Sequence, residues 1–136
     1  MKYQLPITFL FIAAFAATCF ISACDDTSNI TNIDNVVIPT QNVSYSLHIQ
    51  PLLNAKCLSS GCHNDQSRAG NLSLTSYSNT TASYLVVAPG LPQNSLLVLT
   101  TQGLTTNPMP PIGYQPLTKN QIDGIKTWVK EGAKNN

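Results

Sequence analysis

Residues 44–136 predict an all-α domain on three observations. A helical apolar pattern opens behind serines near their start, a second opens behind a capping box near their end, and turn-rich chain joins the two. In the first pattern Ser44 or Ser46 is the cap, and Ile49, Leu52, Leu53 and the aliphatic stem of Lys56 recur at helical spacing up to Cys57. Pro51 has no N–H to give, so it is expected in the first turn. At the far end Thr118 and Gln121 have capping-box spacing, Ile122, Ile125, Trp128 and Val129 share one face, and Gly132 is the stop. A third, shorter helix is expected from Pro92 through Leu96, Leu97 and Leu99, because proline suits a first helical turn. Leu72 and Leu74 alternate as a brief extended piece.

The chain ahead of this domain divides in two. Residues 1–23 have the form of an export signal: Lys2 gives a positive start and an apolar run follows from Leu5 to Ala23. The run is also near the ~20 residues of a spanning helix, so an uncleaved anchor is the alternative. Its end, Ile21-Ser22-Ala23-Cys24, resembles the bacterial lipobox, which implies cleavage before Cys24 and lipid attachment to it. Either way the rest of the chain is expected outside the cytoplasmic membrane, on its periplasmic or outer face. Residues 24–43, rich in Asn, Asp and Thr and without an aromatic residue, are expected to be a flexible tether with a reach of roughly 25 Å.

With 136 residues and 14.7 kDa there is room for one domain, which excludes a multidomain enzyme. Charged residues make up 10% and the formal net charge is +1, too weak a field to hold a phosphate backbone, so nucleic-acid binding has no electrostatic support. From Ser44 onward six Lys and Arg stand against three Asp and Glu, a mild bias toward an acidic partner.

Loss of Cys19 with the signal and use of Cys24 by lipid leave Cys57 and Cys62 of the four cysteines. They lie in Cys57-Leu58-Ser59-Ser60-Gly61-Cys62-His63, directly after the first helix. A cysteine followed at once by histidine, with another cysteine before it, is the arrangement that attachment of a c-type haem requires: two thiols make thioethers and the adjacent imidazole reaches the iron. The usual spacing has two residues between the cysteines and here there are four; Ser59, Ser60 and Gly61 are suited to bulge outward. A small-loop disulfide in an oxidising compartment is the competing reading. Zinc would need four ligands, and the only other histidine is His48.

Downstream, Asn107-Pro108-Met109-Pro110-Pro111 holds the only methionine left after processing in a proline-stiffened loop. A thioether so held can serve as a soft iron ligand; packing of Met109 as filler is the alternative. His48 is expected on the helix surface, although a bis-histidine haem would use it.

These pieces together resemble a small class I-type cytochrome c domain of bacterial exported proteins. The likeness covers about residues 43–135 and rests on Val43-Ser44-Tyr45 through Leu53, the Cys-His segment, Gly70 to Leu74, Pro89-Gly90-Leu91-Pro92, Met109-Pro110-Pro111, and Leu117-Thr118 through Ala133. It implies N- and C-terminal helices packed around one covalent haem c, Cys57 and Cys62 as thioether donors, His63 as proximal and Met109 as distal iron ligand. Leu74, Tyr77, Tyr84, Leu85, Leu96, Leu97 and Ile112 are then candidates for haem pocket or core. The implied function is electron transfer, with redox proteins as partners, the membrane reached through the lipid, and no substrate turnover. No Ser-His-Asp set, carboxylate pair or phosphate loop is apparent. The alternatives are a cytochrome module of a larger exported oxidoreductase complex, and a haem-free, disulfide-closed binding domain on a lipid anchor.

Overall fold

The computed structural model describes residues 30–136, which are all-α, with no β-strand among them. The export signal, Cys24 and the start of the tether lie outside the described residues. No helix among the described residues is long and apolar enough to cross a membrane.

Residues 45–58 form one continuous helical stretch, α1. Ser44 caps it from an extended backbone, its hydroxyl accepting the Leu47 N–H at 3.2 Å. Pro51 is not in the first turn, as expected, but is the seventh residue of the stretch. The helix accommodates it by winding wide: in Tyr45–Ile49 the hydrogen bonds reach back five residues, and Gln50 N–H meets Tyr45 O. That relaxes the position where the proline ring would otherwise crowd the carbonyl four residues earlier. Gln50–Leu53 then close as α-helix, and Asn54–Leu58 widen again.

Helix α2, Tyr77–Thr80, is capped by the Ser76 hydroxyl on the Asn79 N–H. The expected helix from Pro92 is broken in two, a single 3₁₀ turn at Pro92–Asn94 and helix α3 at Leu96–Thr101. Ser95 between them is extended and fully buried, and its hydroxyl is engaged with the backbone of Ala88 and Leu91, which anchors the chain and prevents a continuous helix. Helix α4, Lys119–Lys130, carries the full capping box: Thr118 Oγ1 accepts the Gln121 N–H at 3.3 Å, and Gln121 Oε1 accepts the Thr118 N–H at 2.9 Å. It ends in a Schellman motif around Gly132, at φ +99°, with Gly132 N–H to Val129 O and Ala133 N–H to Trp128 O.

The core lies between α1 and α4. Ile49, Leu52 and Leu53 on one and Ile125, Trp128 and Val129 on the other are buried. Tyr45 tilts against Trp128 with ring centroids 5.3 Å apart, and the indole N–H donates to Lys134 O at 3.0 Å, so burying it orphans no donor.

Of the tether expected over 24–43, residues 33–43 belong instead to this packed domain. Ile38 and Val43 are buried. Asn120 brackets the Ile38 backbone, accepting its N–H at 2.8 Å and donating to its carbonyl at 2.9 Å. The Glu131 carboxylate accepts the Asn42 and Val43 N–H groups at 2.7 and 2.9 Å. The polar composition of the segment concealed Ile33, Ile38 and Val43, three apolar side chains that the end of α1 and the face of α4 can cover.

Candidate functional site

Helix α1 delivers Cys57 to the site, and a compact loop brings Cys62 back beside it. Ser59 N–H still bonds Asn54 O at 3.2 Å, and Gly61 then turns the chain at φ +74°, a left-handed value that favours glycine, with its N–H on Leu58 O at 2.8 Å. The two extra residues are absorbed in this turn. His63 N–H closes the loop on Cys57 O at 3.3 Å, while Ala69 N–H and the Ser67 hydroxyl hold Cys62 O at 2.8 and 2.7 Å. Both thiols are free. Ser60 Oγ donates to Cys62 Sγ at 3.2 Å. Burial, with a smaller contribution from neighbouring Cys62, pushes the Cys57 thiol up to about 12, so it stays protonated at neutral pH.

The imidazole of His63 is oriented by backbone. Its Nδ1 lies 3.4 Å from Leu72 O, an atom that can only accept, so Nδ1 carries the proton and the Nε2 lone pair is left for a metal. Leu74 N–H donates to His63 O at 2.9 Å, pinning the extended piece 72–74 alongside the histidine.

Met109 comes from the other side of the domain. The proline-flanked loop is tied to α3 by Met109 N–H on Thr100 O at 2.9 Å. Tyr114 N–H on Pro111 O, at 3.1 Å, turns the chain back toward α4.

Cys57, Cys62, His63 and Met109 all line one cavity of about 280 Å³, just below the usual range for ligand sites. Its remaining wall is mostly aliphatic, with Leu72, Leu74, Val86, Leu96, Leu97 and Leu117. His48 is not part of it. Nδ1 of His48 accepts the Ser44 N–H at 3.0 Å, and the ring sits at the opposite end of α1 from Cys57. Among the pocket or core candidates, Leu74 and Leu97 are buried and line the cavity, Tyr77 packs on the core, and half-exposed Leu96 lines the cavity wall. Tyr84, Leu85 and Ile112 are instead exposed at 62, 70 and 98%. They fall on turns rather than in packed elements, which spacing along the chain could not reveal.

The wall also holds residues that sequence reasoning missed, among them Val86, Tyr114, Thr100, Thr101 and Lys56. Thr100 and Thr101 reach the cavity with hydroxyls turned back onto α3 carbonyls, so they expose little polarity. Lys56, counted in the sequence only for its stem, is the one charged side chain of the wall among the described residues. Its ammonium is buried and paired with Asp34 at 2.8 Å.

The chemistry of the donor set fits a c-type haem: two free thiols, an imidazole of defined tautomer and a thioether, on an apolar wall. Among the described residues no group of three or more His, Cys, Asp or Glu side chains is placed to hold a metal ion. No model of a protein family, no curated protein and no solved structure matches this chain.

Proposed function

We propose that this chain is an exported, lipid-anchored monohaem cytochrome c of class I type that carries single electrons between redox partner proteins. One observation carries the reading: Cys57, Cys62, His63 and Met109, from two distant parts of the sequence, line a single apolar cavity. Cys57 and Cys62 would hold the macrocycle by adding across its vinyl groups, sulfur to one carbon and the thiol hydrogen to the other, so that no oxidant is consumed. When bound, the haem supplies a one-electron Fe(III)/Fe(II) couple.

His63 keeps Nε2 for iron by donating Nδ1–H to Leu72 O, an arrangement that also makes the imidazole a stronger donor. Met109 offers the soft thioether that favours the ferrous state. The aliphatic wall would limit the water around His63 and Met109, both of which are half-buried. With His63 and Met109 both given to the iron, the chain would bind and tune the group rather than turn over a substrate.

The test is protein produced with c-type haem maturation machinery. It should be red, take up one electron per chain reversibly, and keep its haem through denaturation. Colourless protein with a Cys57–Cys62 disulfide would overturn the reading in favour of a haem-free, disulfide-closed binding domain.

A further inference from the structure

We propose that Asp65 is a positioning residue for His63, fixing the imidazole through the segment that carries its hydrogen-bond acceptor. The inference rests on the reading of His63 as an iron ligand.

Asp65 is two residues beyond His63, and its carboxylate gathers three side chains from the far side of the loop. Oδ1 accepts the Ser73 hydroxyl at 2.6 Å, both oxygens accept the Thr75 hydroxyl at 3.1 Å, and Oδ1 accepts the Asn79 amide at 3.3 Å. Ser73 and Thr75 themselves lie 3.0 Å apart through their hydroxyls, and the Asn79 amide also donates to both. Ser73 is buried although Asp65 is exposed, so the knot reaches from the surface inward.

Its location gives it a consequence beyond holding a loop. Leu72, immediately before Ser73, supplies the carbonyl that takes His63 Nδ1–H, and Leu74, immediately after it, donates to His63 O. The imidazole and its acceptor are therefore on two chain segments, and Asp65 is the side chain that binds one to the other. At 3.4 Å the Nδ1 bond is long, so a small drift of the 72–74 piece breaks it. Without that bond the imidazole would be a weaker electron donor to iron, and the ferric state would lose more stabilisation than the ferrous.

The experiment compares wild type, Asp65→Ala, Asp65→Asn and Ser73→Ala, each produced with haem maturation machinery. Solvent exchange of the His63 Nδ1 proton is read by nitrogen-15 NMR in the diamagnetic state, ferrous where haem is attached, and the reduction potential is read alongside. Asp65→Ala should exchange that proton about tenfold faster, as expected for one lost hydrogen bond, and shift the potential upward. Asp65→Asn should stay near wild type, because the amide oxygen still accepts from Ser73 and Thr75. Ser73→Ala, which removes the shortest contact, should lie between, and it carries the test should Asp65→Ala fail to fold. Exchange at the wild-type rate in both alanine variants overturns the proposal, as does an asparagine variant as perturbed as Asp65→Ala. A wild type without haem would refute the electron-carrier reading, and the proton exchange would still decide this one.

Discussion

Lys56 Nζ and Asp34 Oδ1 lie 2.8 Å apart, with the lysine side chain 2% exposed, so a cation in the cavity wall is neutralised by a residue from outside the helical domain expected over 44–136. Gln115 and Gln121 also donate to the Asp34 carboxylate, at 2.7 and 3.0 Å. Removing Asp34 would leave a buried ammonium without its partner, whereas replacing Lys56 by an apolar chain removes the buried charge itself. Asp34→Ala should therefore cost about 2 kcal/mol of stability, and Asp34→Ala/Lys56→Met should recover part of it. Urea denaturation checks the order; a double variant weaker than Asp34→Ala would contradict it.

The same pair sets an acid limit. The Lys56 hydrogen bond, chiefly, holds the Asp34 carboxyl below the ordinary aspartate value of 3.8. A depressed value in the folded state contributes stability that is complete above pH 3.8 and lost as pH falls through the folded-state value. Unfolding followed by circular dichroism should steepen below about pH 4, and Asp34→Asn should flatten that slope.

Gly124 faces Ile38 so closely that a Cβ there would come within 2.6 Å of Ile38 Cγ2. Alanine gains roughly 1 kcal/mol in helix propensity. Ile38 cannot easily yield, because Asn120 holds its backbone at both polar atoms. Gly124→Ala should thus be destabilising by about 1 kcal/mol net, the overpacking exceeding the propensity gain. Ile38→Ala in the same background removes the Cγ2 and Cδ1 contacts and leaves only the Cβ at 3.0 Å, so the cost of Gly124→Ala should shrink there.

Thiol reactivity separates the two cysteines in protein made without haem. With its thiol pushed up to about 12, Cys57 is thiolate in only about one molecule in ten thousand at pH 8. Iodoacetamide should label half-buried Cys62 first and leave Cys57 largely unmodified until the fold opens. Because the folded value is raised, the stability it brings is present below pH 9.0 and is lost as pH rises toward 12. Equal labelling of both thiols in folded protein would contradict the enclosed Cys57.

Much of this was legible in the sequence because it is local. The capping box of Thr118 and Gln121, the Ser44 cap and the Gly132 stop each follow from residues within one or two turns of each other. The two ends of the site, Cys57-to-His63 and Met109, were legible as chemistry, whereas their convergence on one cavity is a property of the fold. What escaped depends on contacts far apart in the chain: Asp34 with Lys56, Asn120 with Ile38, and Glu131 with Asn42 and Val43 drew in a stretch whose composition reads as a tether. The break at Ser95 escaped because a buried hydroxyl bonded to Ala88 outweighs the helix preference of its leucine neighbours.

Covalent haem on Cys57 and Cys62 is decided by the intact mass of denatured protein from cells with c-type maturation machinery. The mass should exceed the processed polypeptide by one haem, with the added mass on the peptide that contains Cys57 through His63 and no thiol left to alkylate. A polypeptide without added haem, two hydrogens lighter through a Cys57–Cys62 disulfide, would contradict it.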